Sequence, residues 1–170
     1  FEGVAFAACR GGWPLAVGMD KDIALDQAFD YLDAVEQRDI QMADGVMRNP
    51  SRVHRLLRSY ARHQGAQANY GTIGADLKAN EGDSIDNDTI ASYINALKRI
   101  FVVEDVAAWN PNLRSKTAIR TSDTRYFTDP SIATAALGMG PSDLVYDLET
   151  FGLVCQTHCK HDLRAYHEYF

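Results

Sequence analysis

The stretch from Ser51 to Gln64 constrains the fold more than any other, because its apolar residues keep to one face of a helix. Asn49-Pro50 breaks the chain before it, and Ser51 is a suitable residue to cap a helix. The apolar positions that follow recur at intervals of three and four residues, at Val53, Leu56, Leu57, Tyr60 and Ala61. Gly65 marks the end of the pattern. The spacing predicts an amphipathic helix that must bury one face against other parts of the chain.

Two more helices and two strands are predicted directly after it. A short helix over 72–79 is followed by a polar connection and by a third helix, capped by Asp86 or Asn87 and running to about Ile100. The β-branched run 101–106 predicts a strand, the polar turn 110–112 reverses the chain, and 125–128 predicts the returning strand. Helix, helix, turn, helix, strand, loop and strand is the order of a winged helix, which is a helix-turn-helix with an appended hairpin.

Helices are predicted on both sides of this module. Asp20 is a suitable cap for a helix that runs to about Asp39. Ser131 caps a helix to Leu137, and residues 152–169 form a final amphipathic helix. We therefore expect a mainly α fold with a small β-hairpin, in which a winged helix-turn-helix is combined with flanking helices. The expected divisions are an N-terminal helical segment over 1–50, the winged-helix domain over 51–130 and C-terminal helices over 131–170.

The composition indicates a soluble protein of the cytoplasm. The chain has 170 residues, of which 46% are apolar, and this is enough for one sizeable core. Its apolar runs are far shorter than the ~20 residues that a membrane span needs, so we expect no membrane contact. Its cysteines, Cys9, Cys155 and Cys159, are odd in number, which argues against a disulfide framework and favours a reducing compartment. The chain begins at Phe1 and not at Met, so we expect a piece of a longer protein.

Charge is segregated along the chain, although its formal sum is -6. The predicted helix over 51–64 carries four arginines and no acid, at Arg52, Arg55, Arg58 and Arg62. The wing loop carries three further basic residues, at Arg114, Lys116 and Arg120. Both groups have the chemistry that grips a phosphate backbone. A solvated face, or a surface that docks on an acidic neighbouring domain, is the alternative interpretation of both.

The third helix of the module is the expected recognition element. Its polar face offers Asn87, Thr89, Ser92 and Asn95, which are residue types that contact bases or phosphates. Asp86 and Asp88 stand at the end of this helix that enters the major groove first, and their charge repels phosphate. Acidic residues at that position also stabilise the helix dipole, which favours a scaffold or a protein contact. The residues predicted to contact DNA are therefore Arg52, Arg55, Asn87, Thr89, Ser92, Arg114, Lys116 and Arg120.

No catalytic or metal site follows from the remaining polar residues. Cys155, His158, Cys159 and Asp162 fall on one face of the last predicted helix, a spacing that a zinc ion exploits. Tetrahedral closure normally needs a second element, so a packed helix face is the simpler interpretation. Five scattered histidines fix no pair of nucleophile and base. We expect this chain to have no catalytic residue and no metal ligand.

Four motifs, in order along the chain, resemble the C-terminal part of bacterial AAA-type ATPases. They are Arg10-Gly11-Gly12-Trp13-Pro14, Glu36-Gln37-Arg38-Asp39-Ile40, and the stretches 88–97 and 126–133. The resemblance implies an ATP-binding core ahead of Phe1, a winged-helix segment of unassigned function, and the start of an endonuclease-like region after residue 130. It also implies that Arg10 lies near the junction with the core, where it would either sense nucleotide or form a structural bend.

Two departures from that family limit what this chain is expected to do. The phosphate loop G-x-x-x-x-G-K-[ST] is absent from the sequence, so ATP and Mg²⁺ are expected to bind the upstream core and no cofactor to bind here. Gln156 stands where members tend to place a Glu, and an amide does not supply the anionic oxygen that Mg²⁺ prefers. We therefore expect a non-catalytic accessory region. It would bind its own ATPase core or another protein, and so couple the ATPase to a partner without chemistry of its own. A module that grips the phosphate backbone of duplex DNA through its basic wing is the alternative.

Overall fold

The computed structural model describes residues 1–107 and 122–169 of the chain. These residues form helices and one two-stranded antiparallel sheet, so the expected mainly α fold with a small β element is confirmed. In chain order the elements are α1 (Glu2–Arg10), a 3₁₀ turn (Pro14–Ala16), α2 (Lys21–Ala34), a π-helical turn (Val35–Asp39), α3 (Ile40–Met42), α4 (Pro50–Arg62), α5 (Tyr70–Asn80), α6 (Asn87–Arg99), β1 (Val103–Val106), β2 (Thr124–Phe127), α7 (Pro130–Leu137), α8 (Pro141–Tyr146) and α9 (Leu148–Tyr169).

Short polar side chains cap the helices of the central module. Asn49 Oδ1 accepts a hydrogen bond from the backbone N–H of Arg52 and caps α4. The predicted cap, Ser51, lies inside this helix, because Pro50 occupies the first helical position, where a missing N–H costs nothing. At α6, where Asp86 or Asn87 was predicted as the cap, Asp86 is the cap.

The two strands pair in antiparallel register, with Val103 opposite Phe127. The connection between α4 and α5 joins the same sheet. The N–H of Gly65 donates to the carbonyl of Arg125 at 2.7 Å, and the N–H of Arg125 donates to the carbonyl of Ala66 at 3.1 Å. The order of three helices followed by two strands is therefore present as predicted, while the predicted hairpin turn lies outside the described residues.

The largest hydrophobic cluster lies between α2, α4, α5, α6, α7 and the sheet. The predicted apolar face of α4 supplies its centre, since Leu56, Leu57 and Tyr60 are fully buried. The ring of Tyr60 packs edge-on against Phe127, with 5.2 Å between ring centroids. Helix α7 contacts both α2 and α4 and is buried along nearly its whole length, as expected of a helix that is apolar all round. The cluster is continuous across residues 50 and 130, and the domain division predicted at those positions stays a prediction.

A second, smaller cluster joins α1, α8 and α9 around Ala8, Leu144 and Phe151. From this cluster α9 continues towards β1, where its Lys160 pairs with Glu104. The last helix is therefore attached to the sheet as well as to the start of the chain. Among the described helices, none has the length and apolar character that crossing a membrane requires.

Candidate functional site

The four arginines of α4, here called the arginine row (Arg52, Arg55, Arg58 and Arg62), lie against carboxylates that follow α5. Asp83 accepts hydrogen bonds from Arg52 at 3.1 and 3.3 Å, and its carboxylate lies 3.2 Å from Nη2 of Arg55. Glu81 lies 2.9 Å from Arg62 and 3.8 Å from Arg58. The predicted row exists, but its charge faces an acidic segment of the same chain.

Asp76 on α5 is the third carboxylate opposite the arginine row. It accepts a hydrogen bond of 2.6 Å from Arg62 and another of 2.7 Å from Asn80. Burial by itself would raise the pKa of Asp76, but hydrogen bonds from Arg62, Ser59 and Asn80 outweigh burial and lower it. Asp76 is therefore a stable carboxylate at neutral pH, and the arginine row is largely neutralised within the fold.

The outward face of α6 presents uncharged polar groups to solvent, with exposed charges at its two ends, Asp88 and Arg99. Asn87, Ser92 and Asn95 are exposed, and Thr89 is half-buried. Thr89 is engaged in the helix cap, because its N–H and its hydroxyl each donate to Asp86 at 2.8 Å. These bonds lower the pKa of Asp86, so a negative charge persists at the start of the helix.

Among the α6 residues predicted to contact DNA, Ser92 forms a hydrogen bond with the segment that precedes α4. Arg48, which is 5% exposed, donates from Nη2 to the hydroxyl of Ser92 at 3.2 Å. The same guanidinium forms two hydrogen bonds of 2.7 Å with Asp44 and lies 5.2 Å from the ring centre of Tyr93. Hydrogen bonding to Arg48 holds the pKa of Asp44 at about 2. Ser92 thus has one hydrogen-bond partner from outside α6 but stays exposed.

The structure separates the residues predicted to contact DNA into two groups. Arg52 and Arg55 meet on one carboxylate, that of Asp83, whereas Asn87, Thr89 and Ser92 follow one another along α6. The predicted wing residues lie outside the described residues; they are Arg114, Lys116 and Arg120. DNA contact by these eight residues stays a prediction.

A buried polar cluster that sequence reasoning missed connects α4, α6 and the sheet. Asp105 accepts hydrogen bonds from Tyr60 at 2.8 Å and from Arg125, and Lys98 Nζ lies 2.5 Å from its carboxylate. Burial, and then the charge of Asp105, raises the pKa of Tyr60 well above its ordinary value. The sequence contained a signal for this pair, because Asp105 and Arg125 are opposite charges on the two predicted strands, and such charges pair across strands. In the strand register they stand directly opposite each other.

A groove of about 570 Å³ opens beside this cluster, between the end of α6, the sheet and α9. It is called here the Phe101 groove, and it is lined by Lys98, Phe101, Val103, Glu104, Asp105, Thr128, His161 and Arg164. Two ion pairs lie within the lining: Lys98 pairs with Asp105, and Arg164 Nη1 lies 2.5 Å from Glu104. Glu104 also pairs with Lys160, outside the lining. The groove therefore combines an aromatic side chain with charges of both signs.

A second feature that the sequence did not reveal is a pair formed by Glu36 and His54. Glu36 is 8% exposed and lies on the π-helical turn, with its Oε1 2.8 Å from Nδ1 of His54. Burial raises the pKa of the Glu36 carboxyl, and the hydrogen bond to His54 opposes the rise only in part. A cavity of about 390 Å³ adjoins the pair and is also lined by Arg58. A π-helical turn has no sequence signature, so this juxtaposition was not predictable.

The remaining candidates of the sequence form no assembled site in the described part of the chain. His158 pairs with Asp162 at 3.6 Å, and the residues that the structure describes contain no group of three or more His, Cys, Asp or Glu arranged for a metal ion. Arg10 donates from Nε to the carbonyl of Gly11 at 3.2 Å. The contact is local to the turn, and nucleotide sensing by Arg10 stays a prediction.

Residues 2–143, which run from α1 into α8, match a family model described as "Domain of unknown function (DUF8612)". The matched span includes the arginine row, α6 and the sheet. No curated protein and no solved structure matches the chain. The chain therefore belongs to the DUF8612 family.

Proposed function

We propose that this chain is a non-catalytic accessory region that binds a protein partner through the outward face of α6. The partner proposed is the ATP-binding core of an AAA-type ATPase. The observation that carries the proposal is the contrast between two faces of the central module. The arginine row is largely neutralised within the fold, while the outward face of α6 presents exposed amides such as Asn87 and Asn95.

Topology supports a winged-helix assignment for the segment between Pro50 and Phe127. Three helices precede two antiparallel strands, and the connection between the first two helices forms two isolated bridges to β2, at Gln64 and Gln67. In a winged helix the third helix is the recognition element. Helix α6 has that position, and its apolar side is buried, which leaves its polar side for a partner.

Electrostatics favours a protein over duplex DNA as that partner. DNA binding depends on basic side chains that neutralise phosphates. Here Asp86 and Asp88 stand at the start of α6, and exposed aspartates at intervals of four residues, Asp22, Asp26 and Asp30, follow one side of α2. Amide side chains both donate and accept hydrogen bonds, which suits the polar groups of a protein surface.

The choice of partner rests on the resemblance to the C-terminal part of AAA-type ATPases. Two of its motifs, the turn at Arg10 to Pro14 and the start of α7, are in direct contact through Gly12 and Asp129. Two of the motifs that resemble AAA-type ATPases therefore pack against each other in this chain. The family match itself names no activity, so the ATPase core remains the proposed partner on the strength of these motifs.

The direct test places a photo-crosslinking amino acid at Asn95, in the middle of the outward face, in the complete gene product. We expect crosslinks from position 95 to peptides of the ATP-binding core, and none from position 26 on α2, the control. Crosslinks to DNA, or equal crosslinking from both positions, would overturn the proposal.

A second test measures DNA binding by the chain itself. A labelled duplex of about 30 base pairs is titrated at about 50 and about 200 mM salt, since phosphate contacts weaken steeply over that range. The proposal expects no saturable binding at either concentration. Saturable, salt-sensitive binding would favour the alternative, a DNA-binding winged helix.

A further inference from the structure

The π-helical turn Val35–Asp39 shifts the register of the helical segment between α2 and α3. Val35 and Ile40 are both fully buried, although Ile40 follows Val35 by five positions. Residues on one face of an α-helix recur every three or four positions, so a continuous α-helix would carry Asp39 towards the core in place of Ile40. Single π-helical turns are rare and frequently lie at functional sites. The contacts of this turn are therefore candidates for a function.

The pair formed by Glu36 and His54 joins this turn to α4. The Glu36 side chain is buried, whereas the His54 side chain is 46% exposed. Cavities of about 390 and 360 Å³ open beside the pair, and both residues line each cavity. Solvent protons therefore reach the imidazole directly, while the carboxylate stays enclosed.

An imidazole is the side chain that changes its charge within the physiological pH range. Of the described residues that line the two cavities, His54 alone carries one. Arg55 and Arg58 of α4 also line them, but Arg55 pairs with Asp83, and Arg58 lies 3.8 Å from Glu81, which follows α5. The other charged groups on the packed elements are Asp33 of α2 and the pair Arg38 and Asp39 of the turn, while α7 lines the first cavity with uncharged residues. A change of charge near neutral pH is therefore expected from the imidazole of this pair.

Charge on the imidazole decides how well the fold accommodates the Glu36 carboxylate. Burial raises the pKa of Glu36, the hydrogen bond from His54 opposes the rise only in part, and the charge of Asp33 adds to it. The folded chain thus keeps the Glu36 proton at a pH where the unfolded chain has lost it, so stability falls as pH rises through this window. At higher pH the imidazole also loses its proton, and the buried carboxylate is left without a positive partner. Both steps weaken the pair as pH rises.

We propose that Glu36 and His54 form a pH-sensitive latch, which holds the π-helical turn on α4 while the imidazole is protonated and loosens the turn when the imidazole is neutral. The turn leads into α3, and α3 contacts α6. The latch therefore transmits the protonation of His54 to the place where α3 meets α6. Its action does not depend on which partner the chain binds.

The first experiment compares thermal unfolding at about pH 5 and about pH 8, the range in which imidazoles titrate. His54→Gln keeps a side chain that donates a hydrogen bond to Glu36 but cannot become charged. We expect the fall in Tm between the two pH values to be smaller in this variant than in the unchanged protein by about 2 to 4 °C. A fall as large as that of the unchanged protein would overturn the inference.

His63→Gln is the matched control for that substitution. His63 also belongs to α4, as its C-terminal cap, but its Nδ1 lies 2.8 Å from a backbone carbonyl, that of Ser59, and not from a carboxylate. We expect this variant to keep the full fall in Tm. An equal reduction in both histidine variants would show that no latch is specific to Glu36 and His54.

The second experiment removes the charge of the carboxylate with Glu36→Gln, which preserves the size of the side chain. We expect the pH dependence of Tm to be reduced as much as in His54→Gln. Combining the two substitutions should reduce it no further, because residues that act as one unit do not contribute additively. Reductions that add up in the double variant would mean that the two residues act separately, which would refute the latch.

A third measurement locates the effect within the chain. Backbone hydrogen exchange of residues 35–40, corrected for the intrinsic effect of pH, should be about fivefold faster at the higher pH. This difference should disappear in His54→Gln, and residues 21–28 at the start of α2 should not show it in either protein. Exchange in the turn that does not respond to pH would contradict the proposal, as would a response of equal size along the whole of α2.

Discussion

The indole Nε1 of Trp13 donates a hydrogen bond of 2.9 Å to the hydroxyl of Ser131, and so joins a turn near the start of the chain to the first turn of α7. The adjacent N–H of Gly12 donates to one carboxylate oxygen of Asp129 at 2.9 Å. The other oxygen accepts from the N–H of Ser131 at 2.8 Å and from its hydroxyl at 2.6 Å. One carboxylate therefore caps α7 and also holds the turn.

This contact explains why a glycine stands at position 11. Gly11 has a φ of +72°, and a Cβ there would lie 2.4 Å from both Asp129 Oδ1 and Ser131 Oγ. We expect Gly11→Ala to lower the free energy of unfolding by about 3 kcal/mol or more, because a left-handed alanine costs about 1 kcal/mol and the clash displaces a helix cap. Urea denaturation measures the loss.

Gly18→Ala is the matched control for that substitution. Gly18 also has a positive φ, +83°, but a Cβ added there would meet no other atom within 4 Å. Only the backbone cost of about 1 kcal/mol is expected at this site. Equal losses in the two variants would show that the contact between the turn and α7 contributes nothing.

Features set by neighbouring residues were predictable from the sequence. The apolar face of α4 and the cap at Asp86 are confirmed, because helical spacing and a short polar side chain are sufficient to specify them. The turn at Gly11 and Gly12 was predicted as a turn, but its contact with Asp129 was not. That contact joins residues far apart in the chain, and no local pattern encodes it.

The pairing of the arginine row is a second contact that no local sequence pattern encodes. The sequence places Arg52 and Arg55 on the outer side of one helix, and it also carries five acids between residues 76 and 88. Whether the two groups meet depends on how α5 packs on α4. The structure places Asp83 against both arginines, so this part of the row is paired with an acid of the same chain.

Removing the carboxylate of Asp83 is expected to free two guanidinium groups of the arginine row from their ion pairs. Asp83 is 8% exposed, and Asp83→Asn leaves Arg52 and Arg55 without their carboxylate. We expect a loss of about 1 to 3 kcal/mol in the free energy of unfolding and the appearance of salt-sensitive binding to a DNA duplex, which the unchanged chain is expected to lack. Asp26→Asn on α2 changes the net charge equally at an exposed site and should alter stability by no more than about 0.5 kcal/mol. An equal gain in DNA binding in both variants would contradict the prediction.

Tyr60 is expected to make the protein sensitive to alkaline pH. Its folded-state pKa lies above the ordinary value, chiefly because the ring is buried and then because Asp105 is close. Above the ordinary tyrosine pKa of about 10 the unfolded chain loses this proton while the folded chain keeps it, so stability falls as pH rises. Tyr60→Phe should cost about 1.5 to 3 kcal/mol at neutral pH, since the hydrogen bond to the Asp105 carboxylate is lost, and should flatten the alkaline decline. Chemical denaturation between pH 7 and the alkaline range tests this, and an equally steep decline in the variant would refute it.

Asp44 is expected to respond at the acidic end of the pH range. Hydrogen bonds from Arg48 hold its pKa at about 2, below the ordinary value of about 4 for aspartate. The contact therefore stabilises the folded state above about pH 4, and this contribution is lost as pH falls through the folded-state pKa. Arg48→Lys keeps the charge but removes the paired geometry, so the pKa of Asp44 should rise when it is followed by NMR. Asp147, whose pKa is lowered by hydrogen bonds from Thr150, should keep its value in the same variant. A common rise at both carboxyls would point to general unfolding and not to the loss of one ion pair.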